Sequence, residues 1–441
     1  MESVAESLKP VVYRFLGSKP PVPIRFWDGS YIGSQDSKSY LIIKSPIVLR
    51  QLLFAPSELA LARAYVLGQI DFEGNILELL DNIQRSPAIE ESSGLKLGVA
   101  EKLKLLSSLY SLGGIGLPPG RPPEEIPTQL AKLVGLHSKN RDKSAISYHY
   151  DISNDFYRLI LGDSLTYSCA YFEDEDMNLA QAQEAKYSLI CRKLGLKPGM
   201  RLLDVGCGWG GMLIHAAKHY GVVGVGITLS KEQASLARER IGEMSLTDQI
   251  KILESDYRDL DSEPFDAISS IGMFEHVGEA QLLTYFQKMH SLLNEGGRML
   301  NHGISRPFKH KGWWEKGFDR NSFINRFVFP DGELLEVGRV VSTMQQSGFE
   351  VRDVESLREH YAKTLRHWVE NLESNWEEAV KLVGSGRARV WHLYMAASAI
   401  NFEANRTNIH QVLAVKPTAD GESLFPSNRI QLLKSNDEIL V

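Results

Sequence analysis

Cysteine is scarce. Cys169, Cys191 and Cys207 are the only three in 441 residues. An odd number at wide spacing excludes a disulfide framework and a structural zinc site, and it suits a reducing compartment. Long apolar runs are missing too. No stretch approaches the ~20 residues that span a bilayer. The first residues, MESVAESLKPVVYRFLG, mix acids into a short apolar stretch and do not read as a signal peptide. Charge of one sign is also in short supply. The formal net charge is −6 and the pI about 6.1, so no global basic field points to nucleic acid. There is no internal repeat. What is present is ordinary globular material. With 43% hydrophobic and 24% charged residues the chain can bury a core, which excludes wholesale disorder. The expectation is a protein that is soluble or at most rests on a membrane surface.

The clearest break along the chain is GGIGLPPGRPPEEIP, residues 113–127. Proline removes amide donors and glycine raises the entropic cost of order, so this stretch reads as a linker. Residues 1–112 then form one domain and 128–441 another. In the first, 23–28 and 39–43 read as short strands and 56–67 and 75–84 as helices, giving a small α+β unit without catalytic spacing. In the second, strands are expected at 201–205, 222–227, 250–254, 265–271 and 298–302. Helices at 212–220, 231–244 and 281–293 alternate with them. Strand–helix alternation at this spacing means an α/β fold, a doubly wound and mostly parallel sheet covered on both faces. Residues 348–356 and 410–415 supply the last strands, with helical 361–383 and 387–401 between them.

Asp204-Val205-Gly206-Cys207-Gly208-Trp209-Gly210-Gly211 falls at a strand-to-helix turn. Glycine lets the backbone turn sharply and approach a ligand closely. The run from Gly206 also fits a dinucleotide pattern. Two features argue against a nicotinamide cofactor. Asp204 ends the strand before the glycines. The next strand ends in Ile227-Thr228-Leu229-Ser230, without the acid that would hold a ribose.

LLDVGCGWGG resembles the S-adenosylmethionine loop of class I methyltransferases. Four further motifs narrow the resemblance. YHYDISNDFY (148–157), LTYSCAYF (165–172), GITLSKEQ (226–233) and GMFEHVG (272–278) together look like the cyclopropane fatty acid synthase family. Similarity runs from about 147 to 415, and the region before the linker, with VPIRFWDGS and LARAYVLGQIDFEG, resembles the longer bacterial members. The resemblance implies a seven-stranded methyltransferase sheet. It also implies contacts to S-adenosylmethionine from Tyr167 and Ser168 at the methionine end, and from Asp204, Gly206 and Gly208 in the loop. Thr228, Leu229 and Gln233 would serve the ribose, and Tyr257 and Arg258 would flank the adenine. Gln233 is suited to ribose hydroxyls because an amide both donates and accepts.

An isolated alkene is a poor nucleophile, so the sulfonium must be held in line with it. Methyl attack leaves a carbocation that water would hydrate, and a base must remove one proton. The resemblance implies that bound bicarbonate is this base, with ligands that map onto Cys169, Glu275, His302, Ile304 and Tyr361. Glu275 can accept from the bicarbonate hydroxyl, and His302 and Tyr361 can donate to its oxygens. Cys169 and Ile304 would act through their backbone groups. Cys207 reads as a small filler. Some family members carry a late-helix cysteine where this chain has Met395-Ala396-Ala397-Ser398, so no thiol is needed there.

The substrate implied is a cis-unsaturated acyl chain on a phospholipid, with the protein cytoplasmic and peripheral at the inner face of the membrane. Residues 95–112 place Leu103, Leu106, Leu109 and Tyr110 near one helical face with Lys96, Lys102 and Lys104 around it. Such a helix fits either a headgroup region or a docking face on protein. Trp313-Trp314 fits an acyl tunnel or packing within a lid. Ring closure gives a cyclopropane. A hydride shift before proton loss gives a methylene branch, which a reductase partner would reduce. A homodimer is compatible with either. A methyltransferase of a small soluble acceptor and a non-enzymatic lipid-binding protein remain as competing readings.

Overall fold

The computed structural model describes residues 2–54, 57–86, 107, 120–126, 153–308, 322–329 and 332–433. Residues 95–112 (Ser107 apart), 113–119 of the linker, the first half of the YHYD motif and Trp313-Trp314 lie outside the described residues. In chain order the elements are α1 (Val4–Leu16), β1 (Ile24–Arg25), β2 (Tyr31–Ile32), β3 (Tyr40–Ile43), α2 (Ile47–Phe54), α3 (Glu58–Val66), β4 (Ile70–Glu73) and α4 (Ile76–Gln84). There follow α5 (Asn154–Leu161), α6 (Leu179–Leu194), β5 (Arg201–Val205), α7 (Gly211–Tyr220), β6 (Val223–Thr228), α8 (Lys231–Glu243), β7 (Ile250–Glu254), β8 (Phe265–Ile271), α9 (Leu282–Ser291) and β9 (Leu293–Ser305). The last are α10 (Phe323–Phe327), α11 (Val337–Gln346), β10 (Glu350–Ser356), α12 (Arg358–Ser374), α13 (Trp376–Glu403), β11 (Asn408–Val415) and α14 (Ile430–Leu433). Among the described residues, no helix is long and apolar enough to cross a membrane.

The chain folds as two compact units. The first comprises Met1–Pro127, Asp319–Val328 and Trp376–Ile400, and the second comprises the rest. Two stretches from beyond residue 128 therefore belong to the first unit, which a boundary drawn along the sequence does not capture. The first unit holds a four-stranded sheet, β2-β1-β3-β4, antiparallel except where β1 meets β3. Val4, Leu8, Ile24, Ile43, Tyr65 and Ile70 are buried in its core. Polar contacts tie its segments together. The Tyr65 hydroxyl lies 2.7 Å from His392 Nδ1, and Arg389 pairs with Asp71 at 3.0 Å.

The second unit is built on a seven-stranded sheet in the order β10-β11-β9-β8-β5-β6-β7. The five strands from β9 to β7 are parallel; β11 is antiparallel to both β9 and β10. Leu202, Leu203, Val205, Ala267 and Ile268 are fully buried, as parallel strands with helices on both faces require. One apolar layer takes side chains from α6, α7 and α8, and the other from α9 and α11. The sheet runs from β5 to β6 and β7 on one side and to β8 on the other. Such a switch point opens a crevice at the strand carboxyl ends.

The expected strands and helices of this unit are present with two differences. β9 begins at Leu293, not 298. The helix expected over 361–383 is two helices, because the backbone leaves helical geometry at Asn375, whose side-chain Nδ2 donates to Asn371 O at 2.9 Å.

Candidate functional site

The crevice is a cleft lined by residues at and beyond the carboxyl ends of β5, β6, β7 and β8. All ten residues expected around the cofactor line it: Tyr167, Ser168, Asp204, Gly206, Gly208, Thr228, Leu229, Gln233, Tyr257 and Arg258. Asp204, Gly206, Gly208, Thr228, Leu229, Gln233, Tyr257 and Arg258 are placed at or just beyond the ends of β5, β6 and β7, and Tyr167 and Ser168 by the connection between α5 and α6. The turn after β5 carries Gly206 at φ 77°, in the left-handed region, and its N–H and that of Cys207 both donate to Ile227 O at 3.0 Å. A Cβ at Gly206 would meet the Met273 side chain at 3.0 Å, so only glycine keeps this part of the cradle open. After β6, Thr228 Oγ1 donates to Gln233 Oε1 at 2.9 Å. That contact orients the Gln233 amide so that its NH2 is the donating end. After β7, Arg258 is clasped by Asp256 through Nε at 2.8 Å and Nη2 at 2.7 Å.

Asp204 is buried and accepts from Ser269 Oγ at 2.7 Å. Burial pushes its carboxyl up to about 6, although the Ser269 hydrogen bond and the Lys186 charge pull the other way. Lys186 is a lining residue that no motif pointed to. Its ammonium is fully buried, donates to Ser168 Oγ at 2.9 Å and lies 4.1 Å from the Tyr187 ring centroid. Burial lowers it to about 7 against the opposing pull of Cys169 and Asp204. Its charge also acts on His302. The signal was present in α6: Gln183, Lys186, Ile190 and Lys193 recur at helical spacing among buried positions, and polar residues on an apolar stripe call for partners.

The five residues expected to handle the proton do not line this cleft. Cys169 and Glu275 adjoin lining residues in the chain and His302 faces one across the sheet, whereas Ile304 is joined through Glu275 and Tyr361 through its aromatic neighbours. Glu275 follows Met273 in the 3-10 turn Phe274–His276. β8 ends at Ile271, opposite His302. Two residues further along β9 the Ile304 N–H donates to Glu275 Oε1 at 2.6 Å. Ile304 is thus already engaged through its amide. Cys169 Sγ points at Ala170 O (3.1 Å) and Leu357 O (3.7 Å). The Tyr361 N–H donates to the same Leu357 carbonyl at 3.1 Å. The two groups meet through one backbone link, since Leu357 N–H donates to Ile409 O and Ile409 pairs with Ile304. Tyr361 is buried against Phe402 and Trp368, and Trp368 lies 5.4 Å from the Tyr167 ring. An aromatic chain therefore runs from Tyr361 to the cleft.

Burial raises the Glu275 carboxyl to about 7 despite the Ile304 hydrogen bond. Burial also drives His302 well below the usual imidazole range, with Lys186, Lys193 and His410 adding to it. All three cysteines are free and buried, and burial lifts each thiol far above its ordinary range, so none is a thiolate. Among the described residues, Glu275 Oε2 and His302 Nε2 are buried without a hydrogen-bond partner. Buried polar atoms are rarely left so.

Residues 137–412 match the family model described as mycolic acid cyclopropane synthetase, and residues 17–90 match a domain of unknown function. A "probable fatty acid methyltransferase" of Mycobacterium tuberculosis is 42% identical over 414 residues, covering 92% of this chain and 93% of the relative. The cyclopropane-fatty-acyl-phospholipid synthase of Escherichia coli is 38% identical over 291 residues, covering 66% of this chain and 72% of the relative. Among solved structures, mycolic acid cyclopropane synthase CmaA1 complexed with SAH and CTAB superposes with a TM-score of 0.58 at 38% identity, over 62% of this chain and 97% of that one. The chain belongs to the mycolic acid cyclopropane synthetase family and is an S-adenosylmethionine-dependent methyltransferase of the cyclopropane fatty acid synthase type.

Proposed function

We propose that this enzyme alkylates the cis double bond of a phospholipid acyl chain and that bound bicarbonate takes the proton released, closing a cyclopropane ring. S-adenosylmethionine supplies the methyl group to the alkene and leaves as S-adenosylhomocysteine. The observation that carries the reading is the pair of unpartnered buried atoms, Glu275 Oε2 and His302 Nε2, beside a cleft with a glycine cradle. Bicarbonate fits such a pair, since it has a hydroxyl to give and oxygens to receive.

The chain's own residues then divide the work. Gly206, Gly208 and Gln233 hold the cofactor, with Asp204 beneath the turn. Glu275, braced by the Ile304 amide, keeps Oε2 to accept from the anion's hydroxyl. His302 and Tyr361 donate to its oxygens. Cys169 stays a thiol and so presents no nucleophile to trap a carbocation. The aromatic rings of Tyr167 and Trp368 suit a cationic carbon, because a ring face attracts positive charge. The substrate places the protein at the inner face of the cytoplasmic membrane, with residues 1–112 as the lipid-associated domain.

A second reading shares the first step and ends in a methylene branch for a reductase partner. The relative matched over nearly the whole chain carries the name fatty acid methyltransferase, not cyclopropane synthase, which favours keeping it. Mass spectrometry tests both. Vesicles of phospholipid with cis-unsaturated chains are incubated with the full chain and methyl-labelled S-adenosylmethionine. A gain of one CH2 per chain is expected, and derivatisation separates a ring from an olefin. Label recovered only on a soluble acceptor overturns the lipid reading.

A further inference from the structure

His302 has two ring nitrogens, and the protein decides which one carries the proton. Three strands set the arrangement. Glu355 on β10 pairs with Gln411 on β11, and Gln411 pairs with His302 on β9. Directly opposed residues share a face, so these side chains form one row across the sheet. Lys193 of α6 reaches into this row. Its ammonium is ion-paired with Glu355, lies 3.5 Å from Asp353 and donates to Gln411 Oε1 at 2.8 Å.

The orientation of the Gln411 amide follows from donor and acceptor chemistry alone. An ammonium has no acceptor, so the Gln411 atom it meets must be the carbonyl oxygen. The other end of the amide, Nε2, then faces His302 Nδ1 at 3.1 Å. An amide NH2 only donates, so Nδ1 must offer its lone pair. A neutral imidazole with its lone pair at Nδ1 carries its proton at Nε2. Nε2 is the buried atom without a partner among the described residues.

We propose that Lys193 and Gln411 are positioning residues that lock His302 in the Nε2–H tautomer, making it a fixed hydrogen-bond donor to an oxyanion bound beside β9. The buried imidazole is neutral at physiological pH, since burial and the charges of Lys186, Lys193 and His410 all disfavour a second proton. Locked in this way, Nε2 has no lone pair and takes no proton from a substrate. His302 binds the base; it is not the base. Only the identification of the oxyanion as bicarbonate rests on the function proposed above.

Nitrogen-15 NMR of the labelled full chain tests the lock, with the His302 signals assigned by their loss in His302→Gln. The wild type is expected to show a lone-pair Nδ1 and a hydrogen-bearing Nε2. Gln411→Glu replaces the donor with an acceptor and is expected to put a proton on Nδ1. Lys193→Met frees the amide to turn and is expected to mix the tautomers, whereas Lys193→Arg keeps the wild-type pattern. In turnover, Gln411→Glu should raise the bicarbonate concentration for half-maximal rate about tenfold, the loss of one hydrogen bond to a charged group. Its affinity for S-adenosylhomocysteine should not change. A wild-type His302 protonated at Nδ1, or a tautomer unmoved by Gln411→Glu, overturns the proposal. A tautomer that switches as expected, in an enzyme whose rate ignores added bicarbonate, upholds the lock and overturns bicarbonate as the anion.

Discussion

At the scale of single residues, Glu275 is an acid kept away from water. Its carboxyl is raised to about 7 by burial, against an ordinary value of 4.5. The folded protein therefore holds the Glu275 proton more tightly than the unfolded chain does. Between these two values the native state binds more protons, so stability falls as pH rises and levels off above about 7. Glu275→Gln does not titrate and keeps an oxygen for the Ile304 amide. Wild type is expected to lose stability relative to Glu275→Gln across pH 4.5 to 7, by at most about 3 kcal/mol. Thermal unfolding of both proteins over that range measures it. A difference that does not move with pH would put the carboxylate in contact with solvent. The same burial keeps Cys169 an inert thiol: without a flanking cation strong enough to offset desolvation, it stays protonated.

At the scale of elements, the site depends on one close approach between β9 and the 3-10 turn that bears Glu275. Gly303 lies between His302 and Ile304, and a Cβ there would fall 2.0 Å from the Phe274 ring. Phe274 is buried in the apolar layer under the turn and has little room to yield. Gly303→Ala should push the turn away from β9 and break the geometry between Glu275, His302 and Ile304. A displacement of about an ångström at reacting groups costs on the order of 10²-fold in rate. The expected result is such a loss in turnover with unchanged affinity for S-adenosylhomocysteine, read by calorimetry. Wild-type turnover would show that the turn and the strand are not mechanically coupled.

At the scale of the whole molecule, the notable feature is that distant stretches of chain meet in one compact unit. Glu125, at the end of the proline-rich stretch, accepts from Arg63 through Nε and Nη2, both at 2.7 Å, and also pairs with Arg326. Burial alone would raise this carboxyl, but the hydrogen bonds and charges of the two arginines hold it below the ordinary carboxylate range. Its side chain is 1% exposed and that of Arg326 is 8% exposed. Removing one member of a buried ionic group strands the others and typically costs about 3 to 5 kcal/mol. Glu125→Ala should therefore lower the urea midpoint by a corresponding amount. An unchanged midpoint would reduce the group to decoration. The stretch read as a linker thus ends in an anchor, because Glu125 after the prolines finds two arginines that lie far away in sequence.

What the sequence determined by itself is local in origin. Strand–helix alternation and the glycine turn after β5 with Asp204 before it are specified by neighbours within a few positions, and Thr228, Gln233 and Tyr257 sit in short motifs whose meaning the family resemblance supplies. A reader of short windows can find them, and all of them converge on one cleft. Only the tertiary structure decided the rest. Lys193 and Gln411 find their partners only once the sheet order is known, because those partners come from α6, β9, β10 and β11, separated by up to 218 positions. Inserting β11 antiparallel between β9 and β10 is what sets Gln411 against His302. A hydrogen bond depends on distance in space, and pattern along a chain reports only the contacts that sequence proximity makes unavoidable.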